Sequence, residues 1–179
     1  MMNNKSDLDN ILQAAKLLCD QQGARITPKR LMVLEVLLMS SVPLSAYELA
    51  DSVALHKKQT IKPMSIYRIL EFLVGQHLAH RLNMTNKYVA CNKILCCQEH
   101  GVSQFLICSQ CEQVEEVPMP KELLNGFMQQ LDDAGCSIAE PHIEVAVVCK
   151  KCQSNNASAP NIHNKNQYQG KNNNANSVC

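Results

Sequence analysis

Long apolar runs are missing from this chain of 179 residues. The longest, Leu31 to Met39, is broken by Glu35. It falls well short of the ~18–20 residues that cross a membrane. The first residues, Met1-Met2-Asn3-Asn4-Lys5-Ser6-Asp7, hold no apolar stretch of the signal-peptide kind. A soluble, cytoplasmic chain without a membrane partner is therefore expected. Glycine is scarce, at six residues, and forms no phosphate-cradling loop. There is no nucleophile motif and no internal repeat, so no enzyme is expected. Charge of one sign is lacking too: the net is +1, which argues for no particular partner.

What is present is a hydrophobic share of 46%, enough for a core, and ten cysteines. A disulfide framework does not persist in a reducing cytosol. Metal ligation or redox chemistry is the better expectation. Charge also divides along the chain. Residues 1–83 carry ten Lys and Arg against seven Asp and Glu, whereas residues 84–152 carry five against nine. A basic front and an acidic middle suggest two domains with different tasks.

The front reads as helical. Leu8, Ile11, Leu12, Ala15, Leu18 and Cys19 recur at helical spacing, and Gly23 closes that helix. Thr27 is placed as an N-cap with Pro28 at the first helical position, and Leu31, Leu34 and Leu38 form the buried stripe. Ser45 and Glu48 make a capping box, stapled by Leu44 and Leu49, for a helix ending near Leu55. Pro63 opens another that runs to about Gly75, with Ile66, Ile69, Leu70 and Leu73 inward. Strands Leu78 to Leu82 and Lys87 to Cys91 follow, joined by the turn Asn83-Met84-Thr85-Asn86. This order is that of a winged helix-turn-helix.

From Asn92 to Cys152 the pattern is mixed. Strands are expected at Gln104 to Cys108, Gln113 to Val117 and Ile143 to Val147. A helix from Pro120 to about Gly135 should turn Leu124, Phe127 and Leu131 inward. That is a thin core, which a metal or a dimer interface should supplement. Residues 153–179 include nine Asn and almost no apolar content, and are expected to be disordered. The fold class is thus α+β: a winged helix-turn-helix domain over 1–91, a small α/β domain over 92–152 that a metal or a dimer interface completes, and an Asn-rich tail over 153–179.

Two Cys pairs are the strongest local signal: Cys108-Ser109-Gln110-Cys111 and Cys149-Lys150-Lys151-Cys152. Two residues between thiolates let both grip one ion from a tight turn, and four sulfurs suit tetrahedral structural zinc. A redox-active pair would instead want an exposed helix start with a lowered thiol pKa. Cys19 and Cys136 are expected to pack in cores.

Taken together, the winged-helix order and the paired cysteines resemble the ferric-uptake-regulator family of bacterial metal-dependent repressors. Ile26-Thr27-Pro28-Lys29-Arg30, Ser45-Ala46-Tyr47-Glu48-Leu49 and Ser65 to Leu73 match its pattern. So do Tyr88-Val89-Ala90-Cys91 and Phe105 to Cys111. The match runs from about Leu8 to Cys152. It implies a homodimer that binds palindromic double-stranded operator DNA when loaded with a sensed metal.

By the same resemblance, His80, Cys91, His100 and Glu116 match the family's regulatory metal site, at the hinge between domains. A four-residue turn sets Leu78 opposite Cys91 and makes His80 the diagonal neighbour of that thiol. Glu115 is the alternative to Glu116, His142 is a weaker candidate, and Cys96 or Cys97 can compete with Cys91. Sulfur with imidazole and carboxylate suits Zn(II), whereas iron or manganese favours an all nitrogen and oxygen set. The zinc-sensing branch therefore fits best, with two Zn(II) per chain.

For DNA, the helix from Pro63 presents Ser65 and Arg68, and Arg68 suits bidentate contact with guanine. Tyr67 suits a phosphate or a thymine methyl, and Tyr47 matches a position where the family contacts DNA. Arg25, Lys29, Arg30, Lys57, Lys58, Lys62 and Arg81 are candidates for phosphate. The function implied is zinc-responsive repression of zinc-uptake genes, with zinc as corepressor. The alternatives are an iron- or peroxide-responsive member of the family and, more remotely, a thiol-disulfide redox protein.

Overall fold

The computed structural model describes residues 5–95, 102–138 and 142–155. The chain divides into two compact units, one through Val148 and one from Cys149 onward. Four helices open the first: α1 (Lys5–Gln21), α2 (Pro28–Met39), α3 (Ala46–Lys57) and α4 (Pro63–Gly75). Their starts follow the local chemistry. The Arg30 amide donates to Thr27 Oγ1 at 3.4 Å, with Pro28 at the first helical position of α2. At α3 the capping box closes in both directions. The Glu48 amide donates to Ser45 Oγ at 3.3 Å, and the Ser45 amide donates to Glu48 Oε2 at 2.7 Å.

Helix α2 is buried more broadly than a single stripe. Val33, Leu34, Val36, Leu37 and Leu38 are all buried, and Leu31 is only half-buried. A helix apolar on most sides belongs at the centre of a bundle. Helices α3 and α4 supply Leu49, Val53, Ile66, Leu70 and Leu73 to the same core. Full burial of each Leu or Ile contributes roughly 1.5–3 kcal/mol.

The wing is β1 (Ala79–Leu82) against β2 (Lys87–Ala90), antiparallel, with Ala79 opposite Ala90 and His80 opposite Val89. This is the expected register, and the Cys91 amide donates to the Leu78 carbonyl at 3.0 Å. Leu44 and Tyr88 exchange two backbone bonds of 3.0 and 2.8 Å, which ties the wing to the loop before α3.

Beyond the wing lie β3 (Ser103–Cys108), β4 (Val114–Pro118), α5 (Lys121–Asp133) and β5 (His142–Val147). The sheet order is β4-β3-β5, with β4 antiparallel and β5 parallel to β3. Its core is small: Phe105 and Ile107 are buried with Leu82 of the wing, and Val89 and Val114 pack against them. The wing thus shares one face with the helices and another with this sheet.

Three expectations need correcting. Helix α5 buries no residue: Leu124 and Leu131 are half-buried, and Phe127 is 36% exposed. A three-stranded sheet offers its helix too little area to cover that face. Cys136 is exposed, its thiol 3.6 Å from the Ala134 carbonyl, because Gly135 at φ +70° ends α5 before it. In the second unit, α6 (Lys150–Asn155) carries helix three residues past Cys152, into the segment expected to be disordered. The remaining tail, and Cys96, Cys97 and His100, lie outside the described residues.

Candidate metal centre

Three expected ligands converge at the foot of the wing. His80 sits in β1, Cys91 directly follows β2, and Glu116 sits in β4. Their ligand atoms all lie within 4.8 Å of one another. His80 Nε2 is 4.0 Å from Glu116 Oε2. The site is secluded: Cys91 is 1% exposed, and the Glu116 side chain 5%. Register decides the carboxylate. Glu116 pairs with Phe105 and turns to the wing, whereas its sequence neighbour Glu115 pairs with Leu106 and is exposed on the other face.

The surroundings aim these groups. Glu116 Oε1 accepts from Ser103 Oγ at 2.9 Å and pairs with Lys93 Nζ at 3.4 Å. Its Oε2 accepts from the Asn92 amide at 3.3 Å. Lys93 Nζ also donates to Ser103 Oγ at 2.9 Å, and the Lys93 amide donates to Cys91 Sγ at 3.4 Å. A ligating carboxylate held by outer partners is the usual second layer of a metal site. Asn92, Lys93 and Ser103 were not legible as site residues, since only the fold brings them to Glu116. The His80 ring packs on Phe105, with centroids 4.9 Å apart. One imidazole, one thiolate and one carboxylate suit Zn(II).

The Cys pairs are placed by their strands. Cys108 ends β3 and is buried, and its amide donates to the Gln113 carbonyl at 2.9 Å. Cys111 lies in the turn that follows, half-buried, before Glu112 at φ 57°. Val147 of β5 pairs with Cys108, and its carbonyl accepts from the Ser109 amide at 2.9 Å. Cys149 comes two residues after Val147. In the second unit Cys149 precedes α6 and Cys152 lies within it. The Gln153 amide donates to the Cys149 carbonyl at 2.9 Å.

His142 does not join the site ligands; its Nε2 lies 3.1 Å from Glu144 Oε1. The Glu144 carboxylate also accepts from the wing-turn amides of Asn83 and Met84. Its burial acts to raise the carboxyl pKa, but these two amides and His142 outweigh that and hold it below the usual range.

Helix α4 exposes Ser65 and Arg68, opposite its buried stripe. Tyr47 of α3, 62% exposed, meets Tyr67 edge to face at 6.4 Å, so the two helices share one outward surface. Lys62 and Lys58 are exposed at the start of α4 and the end of α3. Three phosphate candidates are otherwise engaged, Arg81 among them, its guanidinium donating to Asn86 Oδ1 at 3.0 Å. The Arg30 guanidinium lies 3.5 Å over the Phe72 ring and donates to the Arg25 carbonyl at 2.6 Å, and Lys57 pairs with Glu35.

Fold and site together define a winged-helix protein with a metal-type donor set between its wing and a second sheet. Residues 21–146 match the Ferric uptake regulator family, and the chain belongs to that family. The Zinc uptake regulation protein of Escherichia coli (strain K12) is 36% identical over 112 residues, spanning 63% of this chain and 64% of that protein. The protein of the same name from Shigella flexneri matches to the same extent. The chain therefore spans less than two thirds of the length of these relatives. Among solved structures, a zinc uptake regulator complexed with zinc and DNA superimposes with a TM-score of 0.73 at 29% identity. That match covers 87% of this chain and 99% of that one. Holo XcZur gives 0.68 at 28% identity, covering 82% and 99%. No helix among the described residues is long and apolar enough to cross a membrane.

Proposed function

We propose that this chain is a zinc-responsive transcriptional repressor of zinc-uptake genes, acting in the cytoplasm as a homodimer on operator DNA and without enzymatic activity. The observation that carries this is the convergence of His80, Cys91 and Glu116 where the wing meets the second sheet. The site joins an element of the DNA-binding unit to an element outside it, so occupancy there biases the angle between them. His100, from the segment before β3, is the fourth ligand in this reading. Zinc bound there supplies positive charge and a demand for tetrahedral geometry. His80 and Cys91 would hold the wing to it and Glu116 the sheet, while the Phe105 ring packs on the imidazole.

A second zinc is structural in this reading: Cys108 with Cys111 and Cys149 with Cys152 are two pairs of the spacing that grips tetrahedral zinc, and four sulfurs complete its set. Ser65, Tyr67, Arg68 and Tyr47 form the DNA-reading surface. Here Arg68 reads a guanine, while lysines such as Lys62 and Lys58 meet phosphates.

The test is fluorescence anisotropy with a palindromic duplex from a zinc-uptake promoter, under buffered free zinc. The protein keeps only its tightest metal at the start. A steep rise in affinity with zinc, lost in Cys91→Ser, is the expected result. Selective activation by Fe(II) would overturn the zinc assignment, and a response to neither metal would overturn metal sensing.

A further inference from the structure

Glu144 stands outside both candidate metal groups, yet it is among the most enclosed carboxylates of the chain, with a side chain 8% exposed. A buried carboxylate is retained only where donors satisfy it. Three do so here. The Asn83 amide reaches Oε1 at 2.6 Å, the Met84 amide reaches Oε2 at 2.9 Å, and His142 Nε2 lies 3.1 Å from Oε1. Asn83 and Met84 are the first residues of the wing turn, and they lie 61 and 60 positions from Glu144 in sequence.

The register of the second sheet explains how one carboxylate reaches the wing tip while another reaches its base. Phe105 of β3 pairs with Glu116 on one side and with Glu144 on the other. In-register neighbours point to the same face of a sheet, so Glu116, Phe105 and Glu144 form one row facing the wing. Glu116 meets His80 at the wing's foot. Phe105 packs against the rings of His80 and His142, at 4.9 and 5.3 Å. Glu144 grips the turn at the far end. The wing's tip also carries the Lys87–Glu112 pair at 2.8 Å, but an exposed ion pair holds little, so Glu144 is the enclosed tie that makes this end move with the sheet.

We propose that Glu144 is a positioning residue that fastens the wing tip to the second sheet, so that occupancy of the His80–Cys91–Glu116 site moves the wing as a rigid lever. It touches neither metal nor DNA. The bidentate geometry makes the role specific to a carboxylate. Two backbone donors address two different oxygens, and a carboxamide has only one oxygen to offer. Glu144→Gln therefore sets an NH2 against an N–H.

The lever rests on the zinc-responsive reading above, and the test separates the two. Hydrogen exchange at the Asn83 and Met84 amides is measured in wild type and Glu144→Gln, without DNA. Both amides are protected in wild type, and both exchange about tenfold faster or more in the variant. Equal exchange in the two proteins would overturn the latch, whatever the signal is. Zinc-dependent anisotropy is then compared at matched thermal stability, with Co(II) absorption reporting the Cys91 thiolate site. The variant keeps the Co(II) spectrum but loses about tenfold of the metal-induced gain in operator affinity. An undiminished gain overturns the lever even if exchange has changed. A wild type without any metal-induced gain overturns the lever together with the zinc-responsive reading, and the exchange result then still decides whether the latch exists.

Discussion

At the scale of single residues, the zinc-responsive reading makes Cys91 the ligand that separates zinc from harder metals. Its thiol is buried and points to the same place as His80 and Glu116. Cys91→Ser exchanges a soft ligand for a poor one. Loss of the metal-induced gain in operator affinity is expected, on the order of 5–150-fold, read by anisotropy across buffered zinc. Arg68 makes a different prediction. Arg68→Ala should weaken the operator complex by about 1–3 kcal/mol and relax discrimination at one base pair. Lys62→Ala should weaken all sequences alike and lower the salt slope by about one. Competition with single-base operator variants distinguishes the two. Glu144 adds a pH signature. Its folded carboxyl lies below the usual range, so its contribution is complete above that range, near ~4.3, and disappears as pH falls through the lower folded value. Urea melts of wild type and Glu144→Gln should differ at neutral pH and converge in acid. Some of these residues were readable in the sequence and some were not. The wing register put Cys91 beside His80 from turn length alone. Glu144 could not be read, since the wing-turn amides it grips lie 61 and 60 residues away.

Among the elements, helices α2 to α4 were legible because their signals are local. Pro28, Thr27 and the Ser45–Glu48 box act within one turn. Ser45→Ala should cost about 1 kcal/mol by urea denaturation, because it leaves the Glu48 amide without its cap. Glu48→Gln should cost less, since the hydroxyl cap survives. Helix α5 departs from the inward face its sequence predicts for a physical reason. Its periodicity is amphipathic, but periodicity says which residues share a face, not what covers it. Leu123 is 63% exposed, and Phe127 and Met128 are 36% exposed. On the homodimer reading a second copy meets this part of the molecule. Phe127→Arg should then shift the protein from dimer toward monomer in sedimentation velocity. An unchanged dimer would place the interface elsewhere.

For the molecule as a whole, the small β4-β3-β5 sheet has few buried residues beyond Phe105, Ile107 and Cys108. Such a unit is marginal by itself. On the structural-zinc reading, the four cysteines supply the missing stability, since metal binding of this kind is folding energy on the order of 10 kcal/mol. Cys149→Ala should therefore lower the melting temperature and the zinc content by one equivalent per chain, measured by calorimetry and metal analysis. The wing is the other integrating device. Lys87 at its end pairs with Glu48 of α3 at 3.4 Å and with Glu112 beside Cys111 at 2.8 Å. The Glu112 hydrogen bond leads in holding the Lys87 pKa above its ordinary value.

What the sequence by itself determined is what acts over short range: helix starts, the wing turn and its register, the cysteine spacing, and the donor types that point to zinc. These depend on neighbours within a few residues, where backbone geometry leaves little choice. Only the tertiary structure decided which carboxylate faces the wing, which cysteine is left in water, and that Glu144 reaches Asn83 and Met84. Those outcomes depend on strand order. Placing β5 parallel to β3 and β4 antiparallel brings Glu116 and Glu144 to either side of Phe105, and no local pattern in the chain encodes that adjacency.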